Sequence, residues 1–165
     1  MENAMEIREY IAKIFQTNHG VIKRLLDDVP EETSLERFGH EINHIRWQAG
    51  HIAGSATLML SLMDENYDLP ENWPVLIGRG EKFEPDPQAW PSLAEIKNHL
   101  YKIHGRLENR ISQVELEKLE TERQILPEWN TSPAQAILFL CNHEFYHAGQ
   151  IMLLRRMAGL PNVIG

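Results

Sequence analysis

A chain of 165 residues with 42% hydrophobic and 24% charged residues can bury a real core and is most simply one domain spanning residues 1–165. A net charge of −8 with no dense Lys/Arg cluster excludes nucleic-acid binding through phosphate neutralisation and disfavours an anionic membrane surface. Met1 to Glu9 is polar and mixed in charge rather than basic then apolar, and no run of about 18 apolar residues exists, so a soluble, cytoplasmic protein is expected. The single Cys141 agrees with a reducing compartment.

A first helix is predicted from about Met5 to Asp28, where Ile7, Ile11, Ile14, Val21 and Leu25 recur at helical spacing and Pro30 marks the exit. Asn18 and His19 sit near that stripe and read as satisfied core or edge residues. A second helix is predicted from about Glu41 to Asp64, with His44, Trp47, His51, Leu58 and Leu62 on its inner face. Gly50, Ala53, Gly54, Ser55 and Ala56 make its middle slender, which permits a close helix–helix approach.

From Glu65 to Pro91 the pattern breaks down under Pro70, Pro74, Pro85, Pro87, Pro91, Gly78 and Gly80. A connection of this length can cross a bundle whose helices of about 24 residues are about 36 Å long. The third helix could then run parallel to the second, in up-down-down-up order. Trp73, Phe83 and Trp90 suggest a crossover that packs onto the bundle. The third helix is predicted from near Ser92, with Glu95 in capping-box position, through Ile96, Leu100, Ile103, Leu107, Ile111 and Val114 to about Glu120. His99 and His104 flank this stripe and read as exposed or edge residues. Glu115 to Arg123 reads as a solvated helix end, and Pro127 closes the connection to the fourth helix. The fold class is therefore all-α, a four-helix bundle with a long crossover between helices 2 and 3.

The fourth helix, Ala134 to Met157, is the best delimited. Ser132 can be its N-cap, Pro133 its first residue and Gln135 the capping-box partner; Arg155 and Arg156 occupy the last turn, Gly159 ends it and Pro161 prevents resumption. Ala136, Leu140, His143, His147 and Leu154 share one face, so two imidazoles interrupt an apolar stripe, and the i, i+4 spacing lets one metal ion bridge them. His143 to His147 reads H-E-F-Y-H, a literal H-E-x-x-H, which suggests a zinc site. A zincin protease takes its third ligand from further down the chain, yet nothing after His147 is His, Asp, Glu or Cys, so coordination must be completed from upstream. If helices 2 and 4 pack side by side, His51 meets the His143/His147 pair at one level. His44 shares the face of His51 two turns earlier, about 10.5 Å away, so both cannot bind one ion at about 2.1 Å.

The W-Q-A-G-H-I-A stretch from Trp47 to Ala53, the long Pro-rich crossover, and H-E-F-Y-H-A-G-Q-I-M-L-L-R-R-M-A-G-L from His143 to Leu160 together resemble the DinB/YfiT-like superfamily. The family pattern is G-H-[IL]-A on the second helix and H-x-x-x-H-x-G-Q on the fourth. The resemblance follows element order over essentially the whole chain, with specific motifs in about a quarter of it. It implies a four-helix bundle, often a homodimer, with a divalent metal on three histidines; by motif position the ligands are His51, His143 and His147, and the G-H-I-A context selects His51 over His44. Zn and Ni are the metals expected, since three imidazoles suit a catalytic zinc site with a position left for substrate and also suit Ni. Activities implied by the resemblance are transfer of low-molecular-weight thiols to electrophiles, thiol-dependent isomerisation and metal-dependent hydrolysis, with a small-molecule substrate in each case.

Of these, S-transfer of a small thiol is the leading expectation, because no protein residue is well placed as a covalent nucleophile. A metal-dependent hydrolase and a non-catalytic, stress-related metal-binding module are the alternatives. Glu144 lies about 80° round the helix from the His pair, as does Tyr146 on the other side. Facing the pocket, Glu144 could serve as a catalytic base or orient a ligand imidazole; facing outward, it is an interhelical or surface carboxylate. Gln150 is expected to hydrogen-bond inside the bundle and Gly149 to serve close packing. Cys141 points away from the His pair and is expected to be neither ligand nor nucleophile.

Overall fold

Three of the long helices in this chain start at a side chain that satisfies backbone groups a helix leaves unpaired. Ser132 accepts from the Gln135 N–H and is followed by Pro133, so the last helix, α6 (Pro133–Met157), starts where the sequence signals it. It ends in a Schellman turn: Gly159 takes φ +72°, Leu160 N–H donates to Arg155 O and Gly159 N–H to Arg156 O. Ser92 likewise caps α4 (Leu93–Ile111) by accepting from Glu95 N–H. The remaining long helices are α1 (Ile7–Asp27) and α2 (Ile45–Leu62). Two short helices, α3 (Trp73–Ile77) and α5 (Leu116–Glu120), lie in the connections.

This computed structural model describes residues 6–39, 42–77 and 89–164. Phe83 and the expected helix start at Glu41 lie outside those residues. Among the described residues the fold is all-α apart from one small hairpin. Helix α2 packs on α4 and α6, and α1 packs on the same two helices. Between them lies a core that includes Ile11, Phe15, Ile22, Ile52, Ala56, Leu60, Leu100, Ile103, Ile137 and Ile151. Arg155, almost fully buried, fastens the end of α6 to the end of α1: its guanidinium donates to both carboxylate oxygens of Asp28, to Leu25 O and to Pro161 O. Among the described residues, no helix is long and apolar enough to cross a membrane.

Three expectations from the sequence are corrected. The second helix begins at Ile45, because the His44 side chain caps it by accepting from Trp47 N–H at 3.0 Å. The third long helix stops at Ile111 rather than near Glu120. Arg8 donates to Val114 O, Val114 turns into the core, and the chain restarts as α5. The charged stretch from Glu115 to Arg123 is mostly exposed, as expected, but it forms the separate α5, and a hairpin that was not anticipated follows: Arg123–Leu126 (β1) pairs antiparallel with Trp129–Thr131 (β2), with a register irregularity between Gln124 and Leu126. The crossover does pack onto the bundle, since Trp73 and Trp90 are buried. His99 is held there by the Tyr67 hydroxyl at 2.9 Å and by the edge of Trp73.

Candidate metal centre

His51 lies in the slender middle of α2, and His143 and His147 are one turn apart on α6, which packs against it. Their Nε2 atoms converge: His143 Nε2 is 3.4 Å from His51 Nε2 and 3.0 Å from His147 Nε2. Nitrogens about 2.1 Å from one ion stand about 3.4 Å apart in a tetrahedron, so the spacing is that of ligands sharing a cation.

Two of the rings are turned by groups outside the triad. His51 Nδ1–H donates to Ile77 O at 2.6 Å, at the end of α3. His147 Nδ1–H donates to Gln48 Oε1 at 2.6 Å, and the Gln48 amide is oriented in turn because its Nε2 donates to Asn43 O. A neutral imidazole has one N–H, so these bonds leave lone pairs on the Nε2 atoms of His51 and His147. Lone pairs aimed at one point repel unless a cation lies between them, which is the test a metal site must pass. Burial, and then the proximity of His143 and His51, hold the His147 pKa down at about 3, so this ring is neutral and ready to coordinate at pH 7. Trp47 stacks on His51 at 4.6 Å, and Ser55 Oγ lies 3.4 Å from His143 Nδ1.

Gly50 is adapted to this arrangement. A Cβ there would meet Ile77 Cγ2 at 2.7 Å, so the missing side chain lets α3 approach closely enough for its carbonyl to reach His51. The slender stretch of α2 thus admits a short crossover helix at this position. Beside the triad opens a cavity of about 380 Å³, floored by His51 and His143 and walled by Leu58, Ile77, Trp129 and Phe139. Its described lining contains no Asp, Glu, Lys or Arg. Trp129 of β2 meets Phe139 edge-on, so the unanticipated hairpin forms one wall.

Glu144 does not join the triad. Its carboxylate is fully buried and turned toward α1 and α4 rather than toward the triad, where Asn18 Nδ2 donates to Oε2 at 3.4 Å and His104 Nε2 lies 3.4 Å from Oε1. Burial pushes its pKa up to about 7, offset in part by His19 and by the Asn18 hydrogen bond. It is thus an interhelical carboxylate, as one of the two readings had it, and not one at the rim of the triad. His104, expected at an exposed edge, is buried and stacks on His19 at 3.6 Å. Burial lowers the pKa values of His19 and His104 to about 4 and about 3. His44 is a helix cap facing the edge of Trp90. Cys141 is buried, and burial raises its thiol pKa, with Glu144 contributing, so it offers no thiolate. Gln150 bonds outward to the Tyr146 hydroxyl rather than inside the bundle, and a Cβ at Gly149 would meet nothing within 4 Å, so that glycine serves no close contact among the described residues.

Sequence reasoning overlooked Gln48 and the Ile77 carbonyl. Gln48 had a signal, since it precedes His51 by three positions and shares its face; a backbone carbonyl has none.

Comparisons agree with this architecture. No curated protein matches the chain. A solved structure, "Crystal structure of the conserved protein of locus from Enterococcus faecalis", is similar in fold at 14% identity, with a TM-score of 0.69, over 93% of this chain and 98% of that one. The model of the DinB superfamily matches residues 14–151, which take in all three triad histidines. With a match of that extent, the chain belongs to the DinB superfamily.

Proposed function

We propose that this DinB-superfamily protein is a metal-dependent enzyme in which His51, His143 and His147 hold a divalent ion, Zn or Ni by donor type, and which transfers a small thiol to an electrophile. The observation that carries the reading is the convergence of three Nε2 atoms at 3.0 and 3.4 Å beside an uncharged cavity. When bound, the ion supplies Lewis acidity that lowers the pKa of a thiol or a water at neutral pH.

The chain's own residues favour thiol over water. Glu144, the natural base for hydrolysis in an H-E-x-x-H segment, is enclosed against α1 and α4, and the described cavity lining contains no carboxylate. A thiol starts near pKa 8.5 and needs less help than water to lose its proton. His51 and His147 are held in place by Ile77 O and Gln48, Trp47 covers one ring, and mostly apolar side chains wall the cavity beside them.

The reading includes a single domain with its helices in up-down-down-up order. What supports that order is the sequence of side-chain ties. Arg8 reaches Val114 while Tyr101 reaches Asp27; Arg46 reaches Pro91 while Arg110 reaches Met63. To test the function, the metal-loaded protein is incubated with a panel of thiols and a model electrophile, and separately with esters and amides. Thiol consumption that stops in His51→Ala is expected; turnover confined to esters or amides rejects transfer in favour of hydrolysis.

A further inference from the structure

A second group of metal-ligating side chains lies where α6 meets α1 and α4. His19 comes from α1, His104 from α4 and Glu144 from α6; all are buried, and one ligand atom from each lies within 4.8 Å of the others. His19 Nε2, His104 Nε2 and Glu144 Oε1 have no hydrogen-bond partner, although a buried polar atom ordinarily has one. Three such atoms in one place call for a common partner. They comprise a carboxylate and two imidazole nitrogens, donors that one cation binds together when the His104 ring turns out of its 3.6 Å stack on His19, since parallel rings keep their lone pairs in parallel planes.

We propose that His19, His104 and Glu144 form a second divalent-cation site, separate from the triad and tying α1, α4 and α6 together. The 3.4 Å between His104 Nε2 and Glu144 Oε1 matches the edge expected for two ligands about 2.1 Å from one ion. His19 is oriented as ligand histidines usually are: its Nδ1–H donates to the Glu108 carboxylate at 2.6 Å, leaving Nε2 as the coordinating lone pair. On the far side of the carboxylate, Asn18 Nδ2 donates to Glu144 Oε2 and to Cys141 O, so Oε1 is the oxygen left for the ion. Entry is available through a groove between α1 and α4 lined by His19, Gly20, Tyr101, His104, Gly105 and Glu108. A Cβ on either glycine would meet nothing within 4 Å, so each leaves the groove wider than a side chain would. Two imidazoles and one carboxylate select a transition-type divalent ion such as Zn²⁺ or Co²⁺ over Ca²⁺ or Mg²⁺, which demand mainly oxygen ligands.

The test counts Zn²⁺ bound by the full chain, stripped of metal and then titrated against a chromogenic chelator. Two equivalents are expected in the wild type. One equivalent is expected to remain in the His51→Ala/His143→Ala variant, which leaves the buried cluster untouched. Adding Glu144→Gln, which preserves side-chain shape and the Asn18 contact, or separately His19→Gln, should remove that last equivalent and abolish the rise in melting temperature it produces. Loss of all binding in the His51→Ala/His143→Ala variant overturns the second site while leaving the triad intact as a reading. Retention of the equivalent after both Glu144→Gln and His19→Gln overturns it as well, by placing the ion elsewhere.

Discussion

His51 and Ile77 are joined by a 2.6 Å hydrogen bond in which the imidazole Nδ1–H donates to the carbonyl that ends α3. The bond exists because Gly50, the preceding residue in α2, has no side chain to hold α3 away. Gly50→Ala should push Ile77 off, since a methyl 2.7 Å from its branched Cγ2 cannot be accommodated by rotation of a flexible tip. Metal affinity is expected to fall about tenfold or more, with a stability loss of about 1–3 kcal/mol. Competition titration alongside thermal melting checks it, and unchanged affinity would mean that the carbonyl does not orient the ring.

Gln48 makes the parallel contact to His147. Gln48→Leu keeps most of the side-chain volume and removes the acceptor, so affinity should drop by about 10–100-fold while the helices stay folded. A variant that binds as tightly as the wild type, measured by the same competition, would show that the 2.6 Å bond is incidental.

The features of this fold differ in how far the sequence revealed them. Ser92, Ser132, Pro133 and Gly159 act on backbone within a few residues of themselves, so their roles are local and could be read directly. The meeting of His51 with His143 and His147 was legible because apolar periodicity fixes which faces are inward and the helix midpoints fix the level. The hairpin was not: its turn passes through Pro127 and Glu128, and Glu128 takes φ 63° without the Gly or Asn that usually announces such a turn. Nor was the burial of Glu144 and His104, since polar residues on a stripe's flank are exposed unless helices on both sides close over them, and α1 and α4 do so here.

His44 provides a pH-dependent cap. As a cap it accepts from Trp47 N–H, which requires the neutral ring; burial, with Arg46 and Arg37 nearby, lowers its pKa to about 4 from an ordinary 6.5. The unfolded chain therefore takes up this proton first, so the stability contributed is complete above pH 6.5 and is lost as pH falls toward 4. The loss is expected to be up to about 3 kcal/mol for a shift of this size. His44→Asn retains a capping oxygen without titrating, and its stability should fall less steeply across that interval in denaturant melts. A slope equal to the wild type's would contradict the assignment.

Arg155 and Asp28 govern a more acidic range. The Arg155 hydrogen bonds hold the Asp28 carboxyl below its ordinary value, so the stability they add is present above about pH 4 and is lost as pH falls through the lowered pKa. Because Asp28 is half exposed, Asp28→Asn should cost only about 1 kcal/mol at neutral pH. Arg155→Ala should cost about 3 kcal/mol, since it also removes donors to Leu25 O and Pro161 O and leaves a void in the core. Equal losses from the two variants in urea melts would show that the ion pair alone joins the helix ends.

The most direct measurement is an anomalous difference map from a zinc-loaded crystal, collected across the zinc absorption edge. A peak enclosed by the imidazoles of His51, His143 and His147 is expected, with each Nε2 about 2.1 Å away. A map in which no anomalous scatterer lies among those three rings, although zinc is bound to the protein, would contradict it.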